Sequence, residues 1–170
     1  MEFSFLVQTD LLGVELTTGT VTTLGIVTIV VLIGLSAFFS SSEIAMFSLA
    51  EHRVDAMVEE DLSGAEMVQA LKEDPHRLLV TILVGNNIVN IAMSAIATSL
   101  LALYFGGATA ALISTFGITA LVLLFGESGP KSYAVEHTET WARRVARPLK
   151  IAEYLMYPLI VVFDYLTRQI

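Results

Sequence analysis

Asn86 and Asn90 stand four residues apart inside a stretch, residues 78–126, that holds no Asp, Glu, Lys, Arg or His. On a helix that spacing stacks both amides on one face, one turn apart. Gly85, just before them, lets a neighbouring backbone or an ion come close. A second stretch without such side chains, residues 16–42, ends in Ser40-Ser41-Ser42-Glu43, and Gly126-Glu127 closes the first. Together these residues supply hydroxyls, two amide oxygens and a carboxylate. An all-oxygen set suits a hard cation such as Mg²⁺, Ca²⁺ or Na⁺. The chain has no cysteine, which excludes thiolate sites. His52, His76 and His137 fall at the edges of the apolar stretches, away from these oxygens.

Backbone oxygens join the set where the helix is interrupted. Pro130 has no N–H and collides with the carbonyl four residues back, that of Gly126. A kink or unwinding is therefore expected there, exposing carbonyls beside Glu127. Irregular backbone at membrane depth is tolerated where it lines a cavity. Plainer readings stand beside these. Asn amides glue membrane helices together, serines bond back to carbonyls one turn earlier and bend a helix, and Glu127 has Lys131 within reach as an ion-pair partner. Of the serines, Ser40 and Ser42 flank a common site only if the helix is distorted.

The elements that must position these groups are membrane spans. Of 170 residues 55% are hydrophobic, mean hydropathy is +0.72 and net charge is -8. About 20 mostly apolar residues cross a bilayer. The expected fold is an all-α membrane protein with three transmembrane helices that carry broken segments. Spans are expected near 21–47, 77–104 and from 108 to 127 or beyond, with a turn at Phe105-Gly106-Gly107. Residues 50–74 read as a short acidic helical hairpin. Residues 135–170 read as a juxtamembrane amphipathic belt helix, with Trp141, Val145 and Leu149 on one face. That divides the chain into an extracellular N-terminal segment (1–20), a three-span core (21–134) and the belt.

All nine Lys and Arg lie in 53–77 and 131–168. The positive-inside rule makes both blocks cytoplasmic and the N-terminus external, in the cell membrane. Residues 1–20 lack the basic region of a cleaved signal peptide. The few basic residues make no nucleic-acid surface. At about 1.5 Å per residue, Ser40, Asn86, Asn90 and Glu127 share a level in the inner half of the membrane.

The runs Phe38-Phe39-Ser40-Ser41-Ser42-Glu43, Gly85-Asn86-Asn87-Ile88-Val89-Asn90 and Phe125-Gly126-Glu127 with Pro130-Lys131 resemble the transmembrane domain of the CorC/cyclin-M (CNNM) magnesium transporters. The resemblance spans roughly residues 30–165. It implies a homodimer in the lipid bilayer and a Mg²⁺ site between the spans, with efflux coupled to Na⁺ entry. On the family's ion positions fall Ser40, Asn86, Asn90 and Glu127, with Ser42, Gly126 and Asn87 as further candidates. Ser41 stands where many members have Gly. The family also implies a CBS-pair domain that senses nucleotide; these 170 residues contain none. The expected function is Na⁺-coupled Mg²⁺ efflux by alternating access. The alternative is a membrane-anchored Mg²⁺ sensor or scaffold that regulates another transporter. No filter-like repeat suggests a channel, and no catalytic constellation suggests an enzyme.

Overall fold

In a computed structural model, residues 17–167 are described, with side chains through residue 162. The first 16 residues of the expected N-terminal segment lie outside the described residues. The described chain is all helical, and three helices are long and apolar enough to cross a membrane.

The first span, α1 (Thr18–Ser48), starts where the Thr17 hydroxyl accepts from the Thr20 N–H, 3.3 Å away. A short acidic hairpin follows, α2 (Glu51–Glu59) and α3 (Ala65–Lys72). Its turn uses two left-handed positions, Asp61 (φ 52°) and Gly64 (φ 89°). The second span, α4 (Pro75–Ala102), begins at a proline whose missing N–H costs nothing at a helix start. Asp74 caps it by accepting from the Arg77 N–H at 3.0 Å.

The third span begins as α5 (Gly107–Leu121), widens into a π-helical segment (Val122–Ser128) and continues as α6 (Gly129–Glu136). The kink or unwinding expected at Pro130 takes the form of this wider, less tightly wound turn, in which the Gly129 N–H pairs with the Leu124 carbonyl five residues back and the span stays continuous. In lipid, closing backbone bonds internally is preferred to opening the helix. The first span is likewise unbroken: Ser41 bonds back to the Ala37 carbonyl at 2.6 Å, yet α1 runs past it to Ser48.

The expected belt folds as two helices, α7 (Thr138–Leu155) and α8 (Tyr157–Thr167), and residues 135–136 still belong to α6. Val145 and Leu149 of α7 are buried against α1 and the hairpin, and α8 packs on α4.

The core concentrates at the hairpin side of the bundle, where Met46, Met57, Val68, Leu78, Ala142 and Leu149 meet. Ion pairs tie this side together. Glu153 of α7, its side chain 7% exposed, pairs with Arg77 of α4 at 2.6 Å and with Lys150 at 3.0 Å. Arg53 of α2 pairs with Glu139 of α7 at 2.5 Å. Lys72 donates to the Met46 carbonyl at 3.1 Å and to that of Leu49, covering the end of α1. There its charge also complements the negative pole of the helix. Desolvation pushes the Lys72 amine below its usual range, partly offset by Glu51.

Candidate ion site

Close approach between the spans depends on two missing side chains. A Cβ on Gly85 of α4 would lie 2.5–2.9 Å from the Phe39 ring of α1, and one on Gly126 would lie 2.8 Å from Ser36 Oγ. Glycine at 85 and 126 thus lets the second and third spans press onto one face of α1.

Between those contacts three side-chain oxygens converge. Ser36 Oγ stands 3.2 Å from Asn86 Oδ1 and 3.0 Å from Asn90 Oδ1. A serine hydroxyl has one proton to donate, so it serves one amide oxygen at a time. The buried Ser36 hydroxyl and two acceptors therefore share one positive hydrogen, an arrangement that a cation would complete. One turn along α1 toward the hairpin, Ser40 Oγ is buried without a hydrogen-bond partner, and Ser42 Oγ is too. Buried hydroxyls left unpaired cost about 1–3 kcal/mol each. A ligand that accepts their lone pairs offsets that cost.

The π-helical segment brings Gly126 to this cluster, and Glu127 follows it in the chain. Pro130 removes the N–H that would otherwise bind the Gly126 carbonyl in a regular α-helix. Glu127 is half-buried and makes no hydrogen bond or ion pair among the described residues. Lys131, one turn further, is engaged elsewhere: it pairs with Glu43 of α1 at 3.2 Å. That pair removes the ready counter-ion from Glu127 and stitches the first and third spans on the hairpin side of the oxygens. No group of three His, Cys, Asp or Glu placed to hold a metal ion occurs among the described residues. The oxygens gathered at Ser36 are all neutral.

The amide pair and Gly126 thus come together, but around Ser36, one turn from Ser40. Asn87 points away, exposed, and donates to the Leu83 carbonyl at 2.9 Å. Ser36 escaped the sequence reading, though its signal was present. It sits four residues before Ser40, the same spacing that paired Asn86 with Asn90. Ser94 and Thr98, small residues suited to close helix contact, are used within the chain: the Thr98 and Ser114 hydroxyls of α4 and α5 lie 2.8 Å apart. Nearer the Gly106 turn lies an apolar cleft of about 500 Å³, lined by Ile29, Ile33, Ala97, Ile118 and Leu121 among others.

Residues 27–170 match the family model described as the cyclin M transmembrane N-terminal domain. The chain is similar to a UPF0053 protein of Haemophilus influenzae, 36% identical over 148 residues, 87% of this chain and 35% of that protein. It is 35% identical over 136 residues to the inner membrane protein YfjD of Escherichia coli, 80% of this chain and 32% of that protein. A polyamine export protein of Haemophilus influenzae is 29% identical over 151 residues, 82% of this chain and 35% of that protein. The chain thus spans about a third of the length of these relatives.

Proposed function

The chain belongs to the cyclin M transmembrane family, and from that premise we propose that it carries Mg²⁺ across the cell membrane. The observation that carries this reading is the convergence of Ser36, Asn86 and Asn90 oxygens around a single proton, beside a π-helical segment that delivers Gly126 and Glu127. Mg²⁺ is the cargo. Its oxygens come from Ser36, Asn86 and Asn90, with the carbonyl of Gly126, whose regular α-helical donor Pro130 lacks, and the Glu127 carboxylate. Ser40, and Ser42 beside it, extend the polar face toward the hairpin.

Mg²⁺ prefers six oxygens in near-octahedral array and gives up water reluctantly. One carboxylate among neutral ligands leaves the ion weakly held, which suits release. With the basic residues of the hairpin side placed in the cytoplasm, Glu51, Asp55, Glu59 and Glu60 gather cations at the entrance. Transport then alternates access around the site, with Na⁺ entry as driving force and a homodimer as the working unit. The Glu43–Lys131 pair is the contact between first and third spans that must rearrange for the site to open on that side.

A second reading takes the cargo to be an organic dication, and two observations favour it: the apolar cleft between the spans that Ile33 and Leu121 help to line and a relative named for polyamine export. An ammonium would replace Mg²⁺ at the oxygens while methylenes lie along Ile33 and Leu121. Proteoliposomes loaded with a Mg²⁺-sensitive dye separate the readings. Mg²⁺ flux in the wild type, cut at least tenfold by Glu127→Gln, supports the first. Flux of radiolabelled putrescine, a dication, without Mg²⁺ flux supports the second. Equal Mg²⁺ flux from wild type and Glu127→Gln rejects the site, and Mg²⁺ binding without flux points to a sensor.

A further inference from the structure

Three arginines without a carboxylate partner among the described residues line one cleft on the hairpin side of the bundle. Arg143, Arg144 and Arg147 of α7, with Thr140 and the Ser63–Gly64 turn, bound a cavity of about 400 Å³. Arg53, Arg77, Lys131 and Lys150 are ion-paired. Among the described residues these three form no ion pair. Arg143 makes one long contact, Nη1 to the Ser63 carbonyl at 3.4 Å, and its Nε is buried without a hydrogen-bond partner.

The cleft is held in shape. Gly64 has φ 89°, and a Cβ there would stand 2.8 Å from the Arg143 carbonyl. The turn is therefore pressed against α7, with glycine the residue that permits the contact. Guanidinium groups lining one cleft match the oxygens of a phosphate, each fork offering parallel N–H donors. Asp61 and Glu66 line the adjoining cleft beyond Arg147, so the place for an anion is on the Arg143–Arg144 side.

What lies beyond the arginines selects the source of that phosphate. Arg144, Arg147, Ile151 and Tyr154 follow one another at helical spacing on α7, and Ile151, Tyr154 and Leu155 are 68%, 84% and 79% exposed. From Arg147 to Leu155 the helix rises about 12 Å. A basic end thus passes into an exposed apolar end over the length separating a phospholipid's headgroup from its acyl chains.

We propose that this cleft is a binding site for an anionic phospholipid. Its phosphate sits among Arg143, Arg144 and Arg147 at the Ser63–Gly64 turn, and its acyl chains run along Ile151, Tyr154 and Leu155. The bound lipid fastens the acidic hairpin and α7 to the membrane. The proposal does not depend on the ion site.

Trp141, the single tryptophan, neighbours Thr140 of the cleft and reports binding. The purified protein in neutral detergent is titrated with dihexanoyl-phosphatidylglycerol while its emission is followed, and native mass spectrometry counts retained lipid. Saturable binding is expected, at least tenfold weaker in Arg144→Gln/Arg147→Gln, whose side chains are exposed and whose loss spares the core. Lys150→Gln, on the same helix outside the cleft, is expected to bind within twofold of wild type. Four results would each overturn the proposal. One is equally tight dihexanoyl-phosphatidylcholine, and another is saturation by inorganic phosphate or ATP below the lipid's concentration, which makes the ligand a soluble anion. The others are a Lys150→Gln loss matching that of the arginine pair, and neither emission change nor retained lipid.

Discussion

Gly126→Ala isolates the contact on which the arrangement of spans turns. The added Cβ meets Ser36 Oγ at 2.8 Å and Ser36 Cβ at 3.2 Å, where ordinary contact begins at 3.4 Å. Ser36 is fully buried and held toward both amide oxygens, so its hydroxyl has no free space to turn into. Either the hydroxyl swings off the amides, losing a hydrogen bond of about 0.5–1.5 kcal/mol, or the third span backs away. Overpacking of this kind costs about 1–3 kcal/mol. Losing one oxygen ligand by about 1.4 kcal/mol lowers Mg²⁺ affinity roughly tenfold. Thermal unfolding in detergent reads the first quantity and calorimetric Mg²⁺ titration the second. Ser36→Ala removes the clashing oxygen, so Gly126→Ala added to Ser36→Ala should cost about 1 kcal/mol less than in the wild type. Additivity within about 0.5 kcal/mol would refute the contact.

Other perturbations probe the supports. Gly85→Val should destabilise by about 1–3 kcal/mol, since the buried Phe39 ring has nowhere to go; an unchanged melting temperature would count against that packing. Glu153→Gln leaves Arg77 and Lys150 without their shared carboxylate and should cost about 1–3 kcal/mol, read by thermal unfolding. Lys131→Gln breaks a half-exposed pair and should cost less than about 1 kcal/mol, so a larger change in flux reports gating and not stability; global unfolding would contradict this. The folded Lys72 amine holds its proton less tightly than in the unfolded chain. The unfolded state therefore binds more protons between the lowered value and the ordinary lysine value, and stability should rise with pH across that window. Lys72→Met should flatten that rise in melting temperature.

Much of this architecture was legible in one dimension. Residues free of ionisable groups marked the three spans, the spacing of Asn86 and Asn90 marked a face, and Pro130 marked an interruption near Gly126. What stayed hidden was rotation of one helix about another. Ser36 lies deep in an apolar run, and only the azimuth of α1 against α4 shows that it, one turn before Ser40, meets the amides. The kink argument named the carbonyl that loses its donor, but the choice of a π turn over a break reflects the absence of water to satisfy a broken helix. Lys131 had two carboxylates within reach, Glu127 on its own helix and Glu43 across the interface, and sequence spacing favours the nearer. The boundary at Met156 between α7 and α8 had a signal in Pro158, which has no N–H to bond the Tyr154 carbonyl and so sits in the first turn of a new helix.

Isothermal titration of Mg²⁺ into wild type and Asn90→Ala, compared at matched thermal stability, tests the central claim most directly. The account expects a single magnesium-binding event in the wild type and at least a tenfold loss in the variant. Equal affinity in both proteins would mean that the oxygens gathered at Ser36 hold helices together and nothing else.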